Sequence, residues 1–196
     1  MKKILYVASK NAGKIKEYKK MLKPLNCKLL MQPEHIEVNE DGQTFEENAK
    51  KKASEVALKT KNFAIADDSG LCIEALGGRP GIYSSRFASN DQKRIERVLK
   101  ELYGQSNRNA FFIAYVCLAN PHGKVILQAE AKCFGSILLE PRGQDGFGYD
   151  PIFEENTSKL SFGEMEKDMK DLLSHRGKAL IKIIPKLEEI FNSKTD

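Results

Sequence analysis

Short apolar runs alternate with stripes at helical spacing along the chain. Ile4 to Ala8 is a brief β-branched and apolar run that predicts a strand. After the polar turn Ser9-Lys10-Asn11-Ala12-Gly13-Lys14, the residues Ile15, Tyr18, Met21, Leu22 and Leu25 recur at helical spacing, so strand, turn and helix follow one another. Cys27 to Met31 predicts a second short strand. A polar loop through Glu34, Glu37, Glu40, Asp41 and Gly42 leads to Thr44-Phe45-Glu46-Glu47, where threonine at the N-cap and glutamate three positions on make a capping box. The helix expected there puts Phe45, Ala49, Ala53, Val56 and Ala57 on one stripe and leaves Asn48 and Lys52 on a polar one. Phe63-Ala64-Ile65-Ala66 has the character of a buried strand and is expected to stop at Asp67-Asp68-Ser69-Gly70, placing two acids at a strand end.

Beyond that point Gly77-Gly78-Arg79-Pro80-Gly81 predicts a rigid turn that delivers Tyr83, Ser84, Ser85 and Arg86. Ile95, Val98, Leu99 and Leu102 follow helical spacing, and Gly104 ends that helix. Ala110 to Ala119 and Lys124 to Leu139 are β-rich runs joined by Asn120-Pro121-His122-Gly123, a turn composition that makes an antiparallel hairpin with His122 in its turn. Gly143 to Phe153, GQDGFGYDPIF, is a glycine-rich loop. Ser174-His175-Arg176-Gly177-Lys178 then precedes a helical stripe of Leu180, Ile183, Ile184, Leu187, Ile190 and Phe191, inside which Pro185 predicts a kink or a late start. Strands separated by helices in the first half and a hairpin in the second predict an α/β fold with a mixed sheet.

The chain's 196 residues suit one domain with a core that needs no staple. With 41% hydrophobic and 30% charged residues it matches a globular protein, and its longest apolar run, Ala110 to Ala119, is too short to span a bilayer. Met1-Lys2-Lys3 runs straight into Ile4-Leu5-Tyr6-Val7, too short for a secretory signal, so a cytoplasmic protein is expected. Cys27, Cys72, Cys117 and Cys133 lie far apart in apolar or strand-like surroundings and read as reduced packing residues. His35, His122 and His175 form no zinc-type spacing, so any metal is expected on oxygen ligands, which favours magnesium or manganese. The net charge of +5 suits a polyphosphate substrate and suits weak nucleic-acid attraction equally.

Four stretches carry candidate chemistry, and each has a plainer structural alternative. Asp67 and Asp68 side by side need a cation or basic partner, as magnesium and a phosphate ester would supply; the alternative is a surface turn with solvated acids. The turn from Ser9 to Lys14 offers backbone N–H groups at a helix N-terminus beside two lysines, a phosphate-binding arrangement without Walker A spacing, or simply a capped helix. In the 143–153 loop, glycines on both sides of Phe147 allow close backbone approach to a purine base stacked on the ring; otherwise its aromatics belong to the core. His175 and Arg176 are read as exposed donors at a positive helix end, with a serine N-cap as the bland reading.

The strings ADDSGL, LGGRPGIYSSRF, TFEENA, GFGYDPIF and SHRGKAL, in this order save that TFEENA comes first, closely resemble elements of the inosine triphosphate pyrophosphatase family, hydrolases of non-canonical purine nucleoside triphosphates. Ser9-Lys10-Asn11-Ala12-Gly13-Lys14 matches that family's phosphate element, with Lys10 where glycine is frequent, and Gln144-Asp145 replaces a more usual Thr-Gly. The resemblance implies an elongated mixed β-sheet flanked by helices and a single two-lobed domain over residues 1–196 with a nucleotide cleft between the lobes. It also implies a homodimer and magnesium-dependent hydrolysis of ITP, dITP and XTP to the monophosphate and pyrophosphate. Asp68 is then the proton acceptor, Glu40 and Asp68 hold the metal, and Asn48 and Lys52 line the cleft. Ser9, Lys10, Asn11, Ala12, Gly13 and Lys14 hold the triphosphate and Ser69 helps to place the nucleotide. Phe147, Gly148, Tyr149 and Asp150 form the base loop, and Lys170, His175 and Arg176 read the base edge. Donors facing O6 favour oxo bases over adenine.

Two other readings stay open. A Maf-type pyrophosphatase acting on pyrimidine nucleotides would be expected to begin serine-proline-arginine-arginine, where this chain has Ser9-Lys10-Asn11-Ala12. A non-enzymatic nucleic-acid-binding module would draw only on the positive charge and the glycine-aromatic loops. Against both, the expectation is a small-molecule nucleotide enzyme with neither nucleic acid nor membrane as partner.

Overall fold

In a computed structural model that describes residues 2–192, the strands are β1 (Lys3–Val7), β2 (Cys27–Met31), β3 (Phe63–Ile73), β4 (Asn109–Ala119), β5 (Val125–Ile137) and β6 (Phe153–Glu155). The α-helices are α1 (Ala12–Met21), α2 (Phe45–Thr60), α3 (Asp91–Glu101), α4 (Lys167–Leu173) and α5 (His175–Asn192). The strands form one sheet in the order β2-β1-β3-β4-β5-β6. β1 runs parallel to both β2 and β3, pairing Leu5 with Leu29 and with Phe63, whereas β5 and β6 are antiparallel. The sheet is therefore mixed, because crossover helices link its first strands and the Asn120–Lys124 turn joins β4 directly to β5.

β3 departs from the sequence-based expectation. It does not stop at Asp67 but continues through Asp68, Ser69 and Gly70 to Ile73, so both acids lie in mid-strand and are buried. Adjacent carboxylates break a strand only when nothing compensates them. Here cationic side chains from α1, α2 and α5 do so, and the strand propensity of the flanking apolar residues prevails.

Contacts divide the chain into two compact units. The first takes the residues up to Asp68, Ala114–Ala131 and those from Arg176 on. One of its apolar cores joins Leu5, Val7, Tyr18, Leu22 and Ile65 to Leu180, Ile183, Leu187 and Phe191 of α5. The other packs Ala49, Ala53, Val56 and Ala57 of α2 on Ala64, Ala66 and Cys117. The second unit, Ser69–Ile113 with Lys132–His175, has its own core of Leu71, Ile73, Val98, Leu102, Phe112, Ile137, Phe153 and Phe162. Each large side chain so removed from water contributes about 1.5–3 kcal/mol. Cys72, Cys117 and Cys133 are buried, and burial pushes the Cys117 thiol up to about 12, as befits a packing residue.

Local signals place the site. Asn11 caps α1 by accepting from the Lys14 N–H at 3.0 Å. Thr44 caps α2 in the same way at 3.1 Å, while the Glu47 carboxylate turns back to the Gln43 N–H at 2.7 Å. α5 is helical from His175 straight through Pro185, so it neither starts late nor breaks at the proline. Among the described residues no helix is long and apolar enough to cross a membrane.

Candidate active site

In the first unit, the two β3 acids sit in different electrostatic settings. Asp67 is fully buried, and its Oδ2 accepts from Lys14 Nζ at 2.9 Å and from Arg176 Nε and Nη2 at 3.2 Å each. Burial by itself would raise its pKa, but the Arg176, Lys14 and Lys52 charges outweigh burial and hold the carboxyl well below the usual range. Arg176 Nη1 also donates to Glu17, three residues beyond Lys14 on α1, and these carboxylates keep the guanidinium charged despite burial. Asp67 is an anchor for cations.

Asp68, its neighbour, faces α2. Asn48 Nδ2 donates to Oδ2 at 3.1 Å, and Lys52 Nζ lies 3.4 Å from Oδ1 and 2.7 Å from Glu40 Oε1. The same Asn48 side chain accepts from the Gly42 N–H at 2.9 Å, tying the loop that carries Glu40 to the helix. Burial is the main reason that the Asp68 carboxyl is raised, with the Glu40 charge adding and Lys52 and Lys14 opposing. A carboxylate so raised is a better proton acceptor than an ordinary aspartate. Lys52 remains charged because Asp68 and Glu40 together outweigh its burial, whereas burial lowers Lys14.

Glu40 and Asp68, joined through one ammonium, are the pair able to face a cation; no cluster of three metal-ligating side chains occurs among the described residues. Such a sparse, all-oxygen set fits magnesium, which keeps several waters and completes its shell with substrate phosphates. Before α1, the Asn11 N–H donates to Ser9 Oγ at 3.2 Å, and Ala12 and Gly13 begin the helix. Lys10 turns away from the helix to the Glu34 carbonyl at 3.3 Å and Glu37 at 3.5 Å.

In the second unit, Asp150 Oδ2 accepts from the Phe147 N–H at 2.6 Å and from Lys170 Nζ of α4 at 2.7 Å. That ammonium also stands 5.0 Å from the Phe147 ring centroid, so loop, acid and lysine are one assembly. Gly146 has φ +87, and a Cβ there would meet Asp150 Oδ2 at 2.1 Å, so only glycine fits. Tyr149 is buried and its hydroxyl donates to the Ser84 carbonyl at 2.9 Å, which makes it an anchor of the loop. Ser84 Oγ in turn accepts from the Leu71 N–H of β3 at 2.9 Å.

Two expectations need correction. Arg176 and His175 are not exposed donors, being 2% and 5% accessible. Asp67 and Glu17 draw Arg176 inward, and His175 stacks on Phe112 with centroids 4.7 Å apart and planes 10° from parallel. Asn48 and Lys52, expected on a polar stripe of α2, are buried against Asp68.

The Ham1 family profile matches residues 5–186, nearly the whole chain. The chain belongs to the Ham1 family. A dITP/XTP pyrophosphatase of Prochlorococcus marinus subsp. pastoris is 68% identical over 98% of this chain and 100% of its own length. Another of that name, from Nostoc, is 48% identical over the full length of both. The HAM1 protein of Coxiella burnetii has a solved structure with TM-score 0.86 at 38% identity, covering 95% of this chain and 99% of its own. The Staphylococcus aureus Ham1 protein gives 0.84 at 34%, covering 96% and 100%.

For this Ham1-family chain, sequence reasoning missed Glu17 and Asp91. Glu17 could have been noticed as the i+3 neighbour of Lys14 on the predicted helix. Asp91, whose Oδ2 accepts from the Gly148 N–H at 2.7 Å, is separated from that loop by 57 residues and carries no sequence signal of the contact.

Proposed function

We propose that this Ham1-family protein is a nucleoside triphosphate pyrophosphatase that hydrolyses dITP, XTP and ITP between the α- and β-phosphates, releasing the monophosphate and pyrophosphate. The observation that carries the reading is the buried Asp68 carboxylate, oriented by Asn48 and faced by the Lys52 ammonium that it shares with Glu40. The relatives named dITP/XTP pyrophosphatase support the substrate class.

Asp68 accepts the proton of the water that attacks the α-phosphorus, and Asn48 fixes the carboxylate so that one oxygen faces the water. Lys52 keeps Glu40 and Asp68 from repelling one another and becomes a phosphate partner when substrate arrives. Lys14, with the N–H groups at the start of α1 and Ser9, binds the triphosphate. Magnesium held by Glu40 and Asp68 would neutralise charge on the phosphates in the transition state. Ser69, next in the strand, helps to place the nucleotide.

The base stacks on Phe147, and Lys170, already directed by Asp150, donates to its 6-oxo group. His175 orders the neighbouring aromatic wall through Phe112 and Phe162, while Arg176 acts through Asp67 and so sets the position of Lys14. An adenine 6-amino group would oppose a donor with a donor, so ATP is rejected.

The proposal extends to one two-lobed domain acting as a homodimer in the cytoplasm. A panel of dITP, ITP, XTP, ATP and pyrimidine triphosphates, with and without magnesium, tests it by pyrophosphate release. Equal turnover of ATP, or preference for pyrimidines, would sink it; sedimentation as a monomer would remove the dimer alone.

A further inference from the structure

Asp91 stands at the start of α3, in the second unit, and its side chain does two things at once. One oxygen pairs with Arg94 a turn further along the helix, and Arg94 Nε is itself held by the Ala88 carbonyl at 3.2 Å. The other oxygen, Oδ2, accepts from the Gly148 N–H at 2.7 Å. Gly148 follows Phe147 directly and has φ +63, a left-handed conformation that favours glycine. The two consecutive N–H groups therefore go to two different carboxylates. That of Phe147 is taken by Asp150 from inside the loop, and that of Gly148 by Asp91 from a separate helix.

The two contacts differ in what they fix. Asp150 lies three residues from Phe147 in the same turn, so it sets the local curl and links it to Lys170 of α4. The buried side of the loop is fastened by Tyr149 to the Ser84 carbonyl. Asp91 is the tie to α3, whose Ile95 and Val98 are buried in the unit's core. With Tyr149 on one side and Asp91 on the other, the backbone that follows Phe147 is tied at two consecutive residues, and the ring stands 5.0 Å from the Lys170 ammonium.

We infer that Asp91 is a positioning residue for base recognition: by capping the Gly148 N–H it holds the Phe147 ring in the orientation that receives the purine. This rests on the proposed reading of Phe147 as the stacking face. Both Asp91 oxygens are committed, one to Arg94 and one to the Gly148 N–H beside Phe147, so its effect is expected on substrate binding and not on the chemical step. An untethered loop would pay ordering entropy each time a nucleotide binds.

Steady-state kinetics with ITP on the full chain test this with Asp91→Ala, Asp91→Asn and Phe147→Ala. Asp91→Ala should raise KM roughly tenfold, the scale of one hydrogen bond to a charged group, with kcat within about threefold of the parent. Asp91→Asn keeps an oxygen that can accept from Gly148 and should recover much of that loss. If Asp91→Ala fails to fold by circular dichroism, Asp91→Ser, whose oxygen is too short to reach Gly148, takes its place. A parental KM in Asp91→Ala beside a raised KM in Phe147→Ala overturns the role of Asp91 while sparing the stacking reading. A parental KM in Phe147→Ala removes the stacking reading and the inference with it. A fall in kcat at constant KM would show that Asp91 serves only the fold.

Discussion

Arg176 of α5 grips Asp67 of β3 through two nitrogens, Nε and Nη2, each 3.2 Å from the same oxygen, Oδ2. The contact joins the last helix of the chain to the strand that bears the catalytic candidate, 109 residues away. Because both partners are buried, the pair matters more for what its loss would leave behind than for its net strength.

Arg176→Ala would strand Asp67 and Glu17 with one cation fewer. Removing one partner of a buried pair costs on the order of 3–5 kcal/mol. Urea unfolding should show a loss of that size, moderated by the surviving Lys14 contact. Arg176→Lys should recover only part, because a point charge cannot serve Asp67 and Glu17 in the same fork geometry. A change below about 0.5 kcal/mol, the scale of an ordinary surface substitution, would show that the pair is not buried in solution.

The depressed Asp67 pKa gives a pH signature. A carboxyl held low in the folded state adds stability that is complete above its unfolded value of about 3.9 and drains away as pH falls below it. Asp67→Asn lacks the titrating group. The stability gap between parent and variant should therefore shrink between about pH 4.5 and pH 2.5, followed by denaturant melts at each pH. A gap that stays constant would mean that Asp67 carries no linked proton.

Asp68 should behave differently from its neighbour. Asp68→Asn should lower kcat by roughly a hundredfold or more, the usual scale for losing a positioned base. Since burial raises this carboxyl in the metal-free protein, its titration followed by NMR without magnesium should lie above that of an ordinary aspartate. Lys52→Met removes an opposing positive charge and should move that titration to higher pH. Near-normal turnover of Asp68→Asn would rule Asp68 out as the base.

Chelation separates chemistry from fold. The proposed ligands Glu40 and Asp68 lie outside the apolar cores, so EDTA should abolish turnover while leaving the thermal midpoint essentially unchanged, and added magnesium should restore activity. A large fall in the midpoint would make the metal structural.

Much of the fold was legible because its signals are local. The capped starts of α1 and α2 stand where Asn11 and Thr44 announce them, and the turn at Asn120–Gly123 joins β4 to β5. Where the expectation failed, distant residues had overruled the local pattern. Asp67 and Asp68 would end a strand by themselves, but Lys14, Lys52 and Arg176 allow β3 to run on. The exposure expected for Arg176 and His175 failed in the same way, through Glu17 and Phe112, whose contacts exist only after folding. Within the candidate site, the motif strings marked Asp68, Phe147 and Asp150, but no spacing along the chain marks the tie from Asp91 to Gly148.

The most direct test of the central claim is hydrolysis of dITP in water labelled with heavy oxygen, with the products separated and weighed by mass spectrometry. Attack on the α-phosphorus, with Asp68 accepting the proton, predicts dIMP carrying the label and unlabelled pyrophosphate. Label in the pyrophosphate would place the attack on the β-phosphorus, and dIDP with orthophosphate as first products would contradict the account altogether.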